Sequence, residues 1–482
     1  MSFRLGSGAS VDKPLYGSGA GFYNPTMGVY RDIVTLVATE YVTTTCRRSC
    51  IQHSGDGACT SSDCSAAHHG DGVDHRGGEP VRMLDAFSGV GALALRWASA
   101  LRTDRSGGCA TTTAGNACRA LSVEITANDM SSTCAGIIGN NISDNGLEGD
   151  GGGVSLGVTS LDAGLAMWTA ACDGQRRPYE FVHLDPFGCC SPFLDAALRC
   201  IPHQGVLSMT ATDTSALFDR RYARVARRHY GVVLSSPRTF EFREVAVRAV
   251  LAAVATSAAR HDKGIEVLLT CPAEHFVLIV VRVVRGARRS DVSTQHVRTL
   301  PDGRGPLYMG PVGDRGFLAS LTARCRAWSP VRLAKRKKVL KLLQTLGDES
   351  AVGVPWFVSL PRVLSAVGVQ QPPPIKKVLA QLCLAGFAAT RTVYDPSGIR
   401  TTAPVGEVRG AVLGAAGVSE QGCIASHAVR PTHTRSADQH GHSFHNPTVV
   451  WCSFGVCLAL AAAVGACFGL QVGATRARRR PL

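Results

Sequence analysis

Acidic residues are in short supply. The 482-residue chain has 36 Asp and Glu against 51 Lys and Arg, a net charge of +15. That balance argues against a cationic partner and favours a polyanion such as nucleic acid, or a membrane surface. Gly, Ala and Arg are abundant together, so codon bias is the bland alternative. A secretory signal is also lacking at the start, where residues 1–21 are polar and rich in Gly and Ser. The 18 cysteines are scattered rather than evenly spaced. A reducing, intracellular compartment is therefore expected rather than a disulfide framework. The compact Cys-x2-Cys knuckle is missing where it would matter. Cys46/Cys50 and Cys59/Cys64 are too widely spaced, and His68, His69 and His75 follow them. This stretch reads as a low-complexity insertion, and no metal site is expected.

The dinucleotide pattern Gly-x-Gly-x-x-Gly is lacking too. In its place stands Val81-Arg82-Met83-Leu84-Asp85-Ala86-Phe87-Ser88-Gly89-Val90-Gly91, followed by Ala92 to Ala98. A short apolar strand ends in an acid, turns through small residues and enters a helix. This is how a doubly wound α/β sheet begins, and the turn suits S-adenosylmethionine. The second strand, 120–125, exits through Ala127-Asn128-Asp129. An acid at that place takes ribose hydroxyls, so Asp129 is the candidate. The third, 154–158, ends near Asp162-Ala163, where an Asp meets an adenine amino group. The fourth, 180–184, delivers His183-Leu184-Asp185-Pro186-Phe187-Gly188. There a carboxylate accepts from an exocyclic amino group, Pro fixes the backbone and Phe offers a stacking face. An incidental strand-end Asp-Pro turn is the alternative. Acids at the carboxyl ends of successive strands lie where open α/β sheets bind ligands.

Upstream, the apolar run 33–38 reads as a helix with Arg31 near its start, a place where the helix dipole disfavours a cation. Arg31 is thus expected to reach for an anion. Downstream, 220–229 is a basic helix interleaved with Tyr222 and Tyr230. A long helix follows at 241–260, and strands at 265–270 and 276–284 complete the α/β domain. The helix 332–343 is basic and amphipathic, either a nuclear-localisation-like cluster, an RNA-facing surface or a solvated face. Residues 356–402 read as a winged-helix-like unit. Val449 to Val472 has no charged residue and is long enough to span a bilayer, with Arg476 to Arg480 beyond it.

These residues together resemble the tRNA (guanine-26-N2)-dimethyltransferase family. The matching pieces run in order: Phe22-Tyr23-Asn24-Pro25 with Arg31-Asp32; 85–98; Asn128-Asp129 with Asn141 and Asn145; Asp185 to Gly188 with Pro192 to Asp195; Thr210 to Thr214; Gly305-Pro306-Leu307; and Thr390-Arg391-Thr392 with Ser397-Gly398-Ile399. The resemblance implies a class I, Rossmann-like S-adenosylmethionine-dependent methyltransferase domain. A smaller α+β C-terminal domain with the winged-helix-like unit would follow it.

The organisation expected from this is as follows. Residues 1–20 are disordered, and 21–300 form the methyltransferase domain, with insertions at about 43–80 and 103–118. Residues 301–410 form a tRNA-binding-type domain. A linker at 411–448, a candidate membrane helix at 449–472 and a basic tail complete the chain. By resemblance, Asp185 is catalytic and Phe22, Pro186 and Phe187 hold the guanine. Arg31, Asp85, Ser88, Gly89, Gly91, Asp129, Asp162 and Ala163 hold the cofactor. The implied partner is tRNA, without an obligate protein partner, and the implied compartment is the nucleus or, second, the mitochondrion. The family carries Arg at Leu93, Ser-Pro at Cys189-Cys190, and His at Arg243 and Val393. Two rival readings are a tRNA-binding chaperone with weak catalysis and a methyltransferase for another amino group.

Overall fold

The computed structural model describes residues 2–4, 13–15, 24, 27–54, 79–106, 122–173, 177–219, 223–234, 241–273, 275–329 and 333–418. Phe22, the Cys/His-rich stretch beyond residue 54, most of 103–118, and 449–472 lie outside these. β1 (Ser2–Arg4) and β2 (Lys13–Leu15) pair antiparallel. Helix α1 (Gly28–Ser54) is far longer than the apolar run that announced it. It continues through Cys46, so the ordered chain persists past residue 43, where the insertion was expected to begin. Three threonines on it, Thr35, Thr39 and Thr43, satisfy their buried or half-buried hydroxyls by donating to the carbonyl four residues back.

The chain then alternates strand and helix: β3 (Val81–Asp85), α2 (Ala92–Ser106), β4 (Val123–Asn128), α3 (Ser132–Asp144), β5 (Val154–Thr159), α4 (Ala163–Cys172) and β6 (Phe181–Leu184). A 3-10 turn at Ser191–Phe193 leads into α5 (Leu194–Cys200), β7 (Val206–Ala211), α6 (Thr214–Phe218), α7 (Ala223–Tyr230) and α8 (Phe242–Ala259). The long antiparallel pair β8 (Lys263–Pro272) and β9 (Val277–Arg285) closes the sheet, whose order is β5-β4-β3-β6-β7-β9-β8. β3 to β7 are mutually parallel, and β9 runs antiparallel beside β7. This is a Rossmann-like doubly wound sheet. Strand β7 is buried at every position, as helices on both faces require. One face packs on α1 and α2, the other on α5 and α8.

Beyond the sheet come α9 (Ala287–Gln295), the short pair β10 (Val297–Arg298) and β11 (Leu307–Tyr308), α10 (Arg315–Ala327) and α11 (Arg336–Val352). Helices α10 and α11 pack into the same core as α1 and α2, through Leu318, Leu321, Leu343 and Leu346. The buried Arg96–Asp32 pair joins α2 to α1 at 2.8 Å, and the Lys335 backbone N–H donates to Asp32 Oδ2. Expected as part of a separate C-terminal domain, α10 and α11 thus share the core of the methyltransferase fold.

The last unit has a sheet of order β12-β14-β13, from β12 (Val358–Ser359), β13 (Ala389–Arg391) and β14 (Gly398–Thr401). Helices α12 (Leu360–Val367), α13 (Ile375–Leu384) and α14 (Val405–Ala416) pack on it. Helix α14 buries Val412 and Leu413, so order extends past residue 410, where a polar linker was expected to start. A buried ionic cluster fastens this unit to the sheet domain. Arg400 reaches Glu244 at 3.1 Å and Glu349 at 2.9 Å, and Arg248 reaches Glu244 at 2.7 Å. Glu244 also accepts the backbone N–H groups of Trp356 and Phe357. Arg243 donates to the Tyr394 carbonyl and so spans the same seam.

Candidate active site

Asp85, Asp129 and Asp185 leave the carboxyl ends of β3, β4 and β6, neighbours in the sheet, and so converge on one edge. Asp85 is buried, and Ser88 Oγ donates to its Oδ2 at 2.6 Å. Burial pushes its carboxyl up to about 7; the Ser88 bond opposes the shift, and the Asp185 and Asp129 charges add to it. The turn that follows carries Gly89 at φ 57° and Gly91 at φ 82°. A side chain at Gly91 would also put its Cβ 2.9 Å from Leu95 Cδ1. Gly89 N–H donates to Asp129 Oδ2 at 3.0 Å, and Ser131 N–H to Asp129 Oδ1 at 3.0 Å. Each Asp129 oxygen thereby keeps acceptor capacity for a further donor.

Asn128 builds the floor next to it. Its amide donates to the carbonyls of Ala86 and Leu161, and its oxygen accepts from Thr159 Oγ1 and Leu161 N–H. This ties the exits of β3, β4 and β5 into one rigid ledge. Above it Met130 and Leu161 stay 75% and 40% exposed, an apolar pair beside an acid. Asp162 caps α4 by accepting from Leu165 N–H at 2.8 Å through Oδ1. The side chain of Ala163 is buried in the core, so only its backbone can serve a ligand.

Asp185 is half-buried. Burial pushes its carboxyl up to about 6, against the pull of a Tyr30 hydrogen bond and the Arg31 charge. Behind it runs a buried polar chain. Ser208 Oγ lies 3.0 Å from His183 Nδ1, His183 Nε2 is bonded to the Tyr30 hydroxyl, and Tyr30 Oη lies 3.4 Å from Asp185 Oδ2. Burial lowers the His183 value to about 3, so its ring is neutral. With one proton per group, every contact is satisfied if donation runs Ser208 to His183 to Tyr30 to Asp185. Tyr30 comes from the first turn of α1 and points at the sheet edge. Arg31, the next residue, donates from Nη2 to the Asn24 carbonyl at 2.8 Å, and its charge acts on Asp185.

The Asp185-Pro186-Phe187-Gly188 loop is pinned from β7. Gly188, at φ 94°, donates to Thr212 Oγ1 at 2.7 Å, and Thr212 N–H donates back to the Gly188 carbonyl at 2.9 Å. Thr212 Oγ1 also lies 3.4 Å from the Pro186 carbonyl. The loop presents Phe187 at 84% exposure. Cys190 is buried and donates to the Thr210 carbonyl, and Leu93 is buried in the core. Both are therefore packing residues. Tyr30, His183, Ser208, Thr212 and Asn128 received no role from the sequence. Thr212 and Asn128 stood inside quoted motifs, whereas Tyr30 and Ser208 carry no local signal.

Two basic surfaces complete the picture. Arg224, Arg227 and Arg228 are exposed on α7, as are Lys337, Lys338 and Lys341 on α11; Arg220 and Arg221 lie outside the described residues. Nine cysteines among the described residues are free thiols. No described helix is long and apolar enough to cross a membrane.

Residues 10–303 and 292–412 match the family described as N2,N2-dimethylguanosine tRNA methyltransferase. The chain is 28% identical over 443 residues to a mouse (Mus musculus) tRNA (guanine(27)-N(2))-dimethyltransferase, a match covering 70% of the chain but 57% of that relative. It is 28% identical over 354 residues to a tRNA (guanine(26)-N(2))-dimethyltransferase of Thermococcus kodakarensis, covering 68% of the chain and 86% of the relative. The fold superposes on Trm1 from Pyrococcus horikoshii, solved in complex with S-adenosyl-L-methionine, with a TM-score of 0.62 at 24% identity, covering 81% of the chain and 94% of that structure.

Proposed function

The chain belongs to the N2,N2-dimethylguanosine tRNA methyltransferase family, and we propose that it methylates the exocyclic N2 of a guanine in tRNA, using S-adenosyl-L-methionine. The observation that carries this reading is the convergence of Asp85, Asp129 and Asp185 at one sheet edge, with Phe187 exposed beside the last. Relatives named for guanine 26 and guanine 27 both match; guanine 26 is the site we favour. The nucleus is the compartment we favour.

The donor set fits the cofactor. The spare acceptor capacity of Asp129 suits a ribose diol, and Met130 and Leu161 offer faces for an adenine whose amino group Asp162 would accept. The turn Ser88-Gly89-Val90-Gly91 lets the methionine part lie close to the backbone, with Asp85 beneath it. Arg31 would take the cofactor carboxylate. When bound, the cofactor supplies a sulfonium methyl that leaves its bonding electrons on sulfur. Asp129→Ala is expected to raise the Kd for S-adenosyl-L-methionine by about tenfold or more, the effect of one charge-assisted bond. Titration calorimetry reads the change, and tRNA affinity should stay as it was.

The target nitrogen is a weak nucleophile because its lone pair is delocalised into the ring. Asp185 accepts one N2–H, which localises that pair, and takes the proton as the N–C bond forms. The Pro186 carbonyl holds the second N2–H. Phe187 stacks on the base after it leaves its helix, and Phe22 is proposed as the opposite face. Phe187→Ala is expected to lower kcat/KM for tRNA by roughly 5- to 150-fold, since base stacking contributes about 1–3 kcal/mol. An unchanged value would remove Phe187 from the site.

Incubation of the full chain with tRNA and S-adenosyl-L-methionine, followed by nucleoside mass spectrometry, tests the function. N2-methylguanosine and N2,N2-dimethylguanosine are the expected products, and fragment mapping gives the position. Methylated adenosine or methylated protein instead would sink the proposal.

A further inference from the structure

Just past the base-binding loop, three side chains from separate segments meet. Cys189 follows Gly188, Asp213 closes the turn after β7, and His229 sits on the last turn of α7. Their Sγ, carboxylate and imidazole ligand atoms all lie within 4.8 Å of one another, and all three are half-buried. Asp213 stands at the N-cap of α6 yet makes no side-chain bond to that helix. Its carboxylate is turned instead toward the cluster: Oδ2 lies 2.8 Å from His229 Nδ1, and Oδ1 accepts from the Tyr230 hydroxyl at 2.7 Å. The Tyr230 bond orients Asp213 from behind, as an outer partner orients a ligand. Cys189 is further positioned by Ser191, whose hydroxyl and N–H lie 3.1 and 3.3 Å from its sulfur.

We propose that Cys189, Asp213 and His229 form a binding site for a thiophilic divalent cation, with zinc the fitting ion. A thiolate, an imidazole and a carboxylate are a zinc donor set, whereas magnesium and calcium avoid sulfur and nitrogen. Three protein ligands and a water give a tetrahedral site. Zinc–ligand bonds of roughly 2.0–2.3 Å need ligand atoms about 3.2–3.8 Å apart. The Asp213–His229 contact would open slightly and the sulfur would close in. Without a cation, burial pushes the thiol up against the pull of the Ser191 and Tyr230 bonds and keeps the proton on sulfur. Binding releases that proton to solvent and leaves a thiolate on the metal. The ion would then hold both the residue after Gly188 and the residue after Thr212, the two sides of the hydrogen-bonded pair that shapes the base loop.

The test uses the full chain, reduced, stripped with a chelator, and reloaded with zinc or cobalt(II) alone. Bound zinc is counted by elemental mass spectrometry. The wild type is expected to hold one equivalent more than Cys189→Ser and His229→Ala. The cobalt difference spectrum between wild type and Cys189→Ser should contain a thiolate-to-cobalt band. Substituting the two thiols that are exposed among the described residues, Cys172→Ser with Cys383→Ser, should leave the count unchanged. His229→Cys supplies a replacement ligand, so it should keep the equivalent that His229→Ala loses. Equal counts in wild type, Cys189→Ser and His229→Ala overturn the site. So does loss of the equivalent in His229→Cys with an unchanged circular dichroism spectrum, or in the Cys172/Cys383 control.

Discussion

Asp185→Asn is expected to cut methyl transfer by about 10²–10⁴-fold, the range of a lost general base, and to leave the protein no less stable at neutral pH. The two halves of this result have one cause. Burial holds the Asp185 carboxyl near 6, above its ordinary 3.8. A carboxyl whose folded value is raised disfavours folding once ionised. The penalty is absent below the unfolded value, grows as pH rises through the interval between the two, and is fully present above about 6. Asn carries no charge, so the penalty disappears where the wild type suffers it. The Tyr30 hydroxyl can still donate to the amide oxygen. Thermal unfolding at pH 7.5 or so should show an equal or higher Tm, with S-adenosyl-L-methionine and tRNA affinities near wild type. In the wild type, single-turnover transfer should fall about tenfold per unit as pH drops below about 6. Near-normal turnover by Asp185→Asn would mean the N2 proton leaves by another route.

Arg400→Met is expected to destabilise the protein by about 3–5 kcal/mol, the cost of leaving buried charge uncompensated. Arg400 is 2% exposed and bonds Glu244, Glu349 and the Val354 carbonyl. The two carboxylates respond differently to it. Glu244 is held low despite its burial by two guanidiniums, Arg248 and Arg400. Glu349 has only Arg400, and burial pushes it up. Removing Arg400 therefore leaves Glu349 without a guanidinium, and Glu244 with Arg248 alone. Differential scanning calorimetry should show a Tm lower by roughly 2–4 °C per kcal/mol. Arg400→Lys should recover part of the loss, because one ammonium cannot span both carboxylates as the planar fork does. An unchanged Tm for Arg400→Met would mean the cluster contributes nothing net.

The sheet was legible because its strands are short apolar runs closed by acids and small-residue turns, a local pattern. Asp85, Asp129 and Asp185 could be named from position alone, since a doubly wound sheet places every such strand end on one edge. Helix lengths were less legible. Nothing in the composition of Thr43 to Ser54 marks it as helix, yet α1 runs through it. The partners of α10 and α11 were no more legible. The apolar faces of α10 and α11 show that they are buried, but not against which core. Within the site, the missed residues act at long range. Tyr30 touches Asp185 across 155 positions of chain, and Ser208 reaches it through His183. Only tertiary structure supplies such pairs. Asp213 was visible as part of Thr210 to Thr214, but its partners Cys189 and His229 come from elsewhere.

The shared core of α1, α2, α10 and α11 has a bearing on how the molecule can be divided. A fragment cut to the seven strands and their linking helices, starting at Glu79 and stopping after β9, would look complete on a topology diagram. It would nevertheless bare the α2 face, strand Arg96 without Asp32, and remove the hydroxyl that faces Asp185. An autonomous piece therefore has to start at α1 and run beyond α11 to β14, whose Arg400 pairs Glu244 and Glu349.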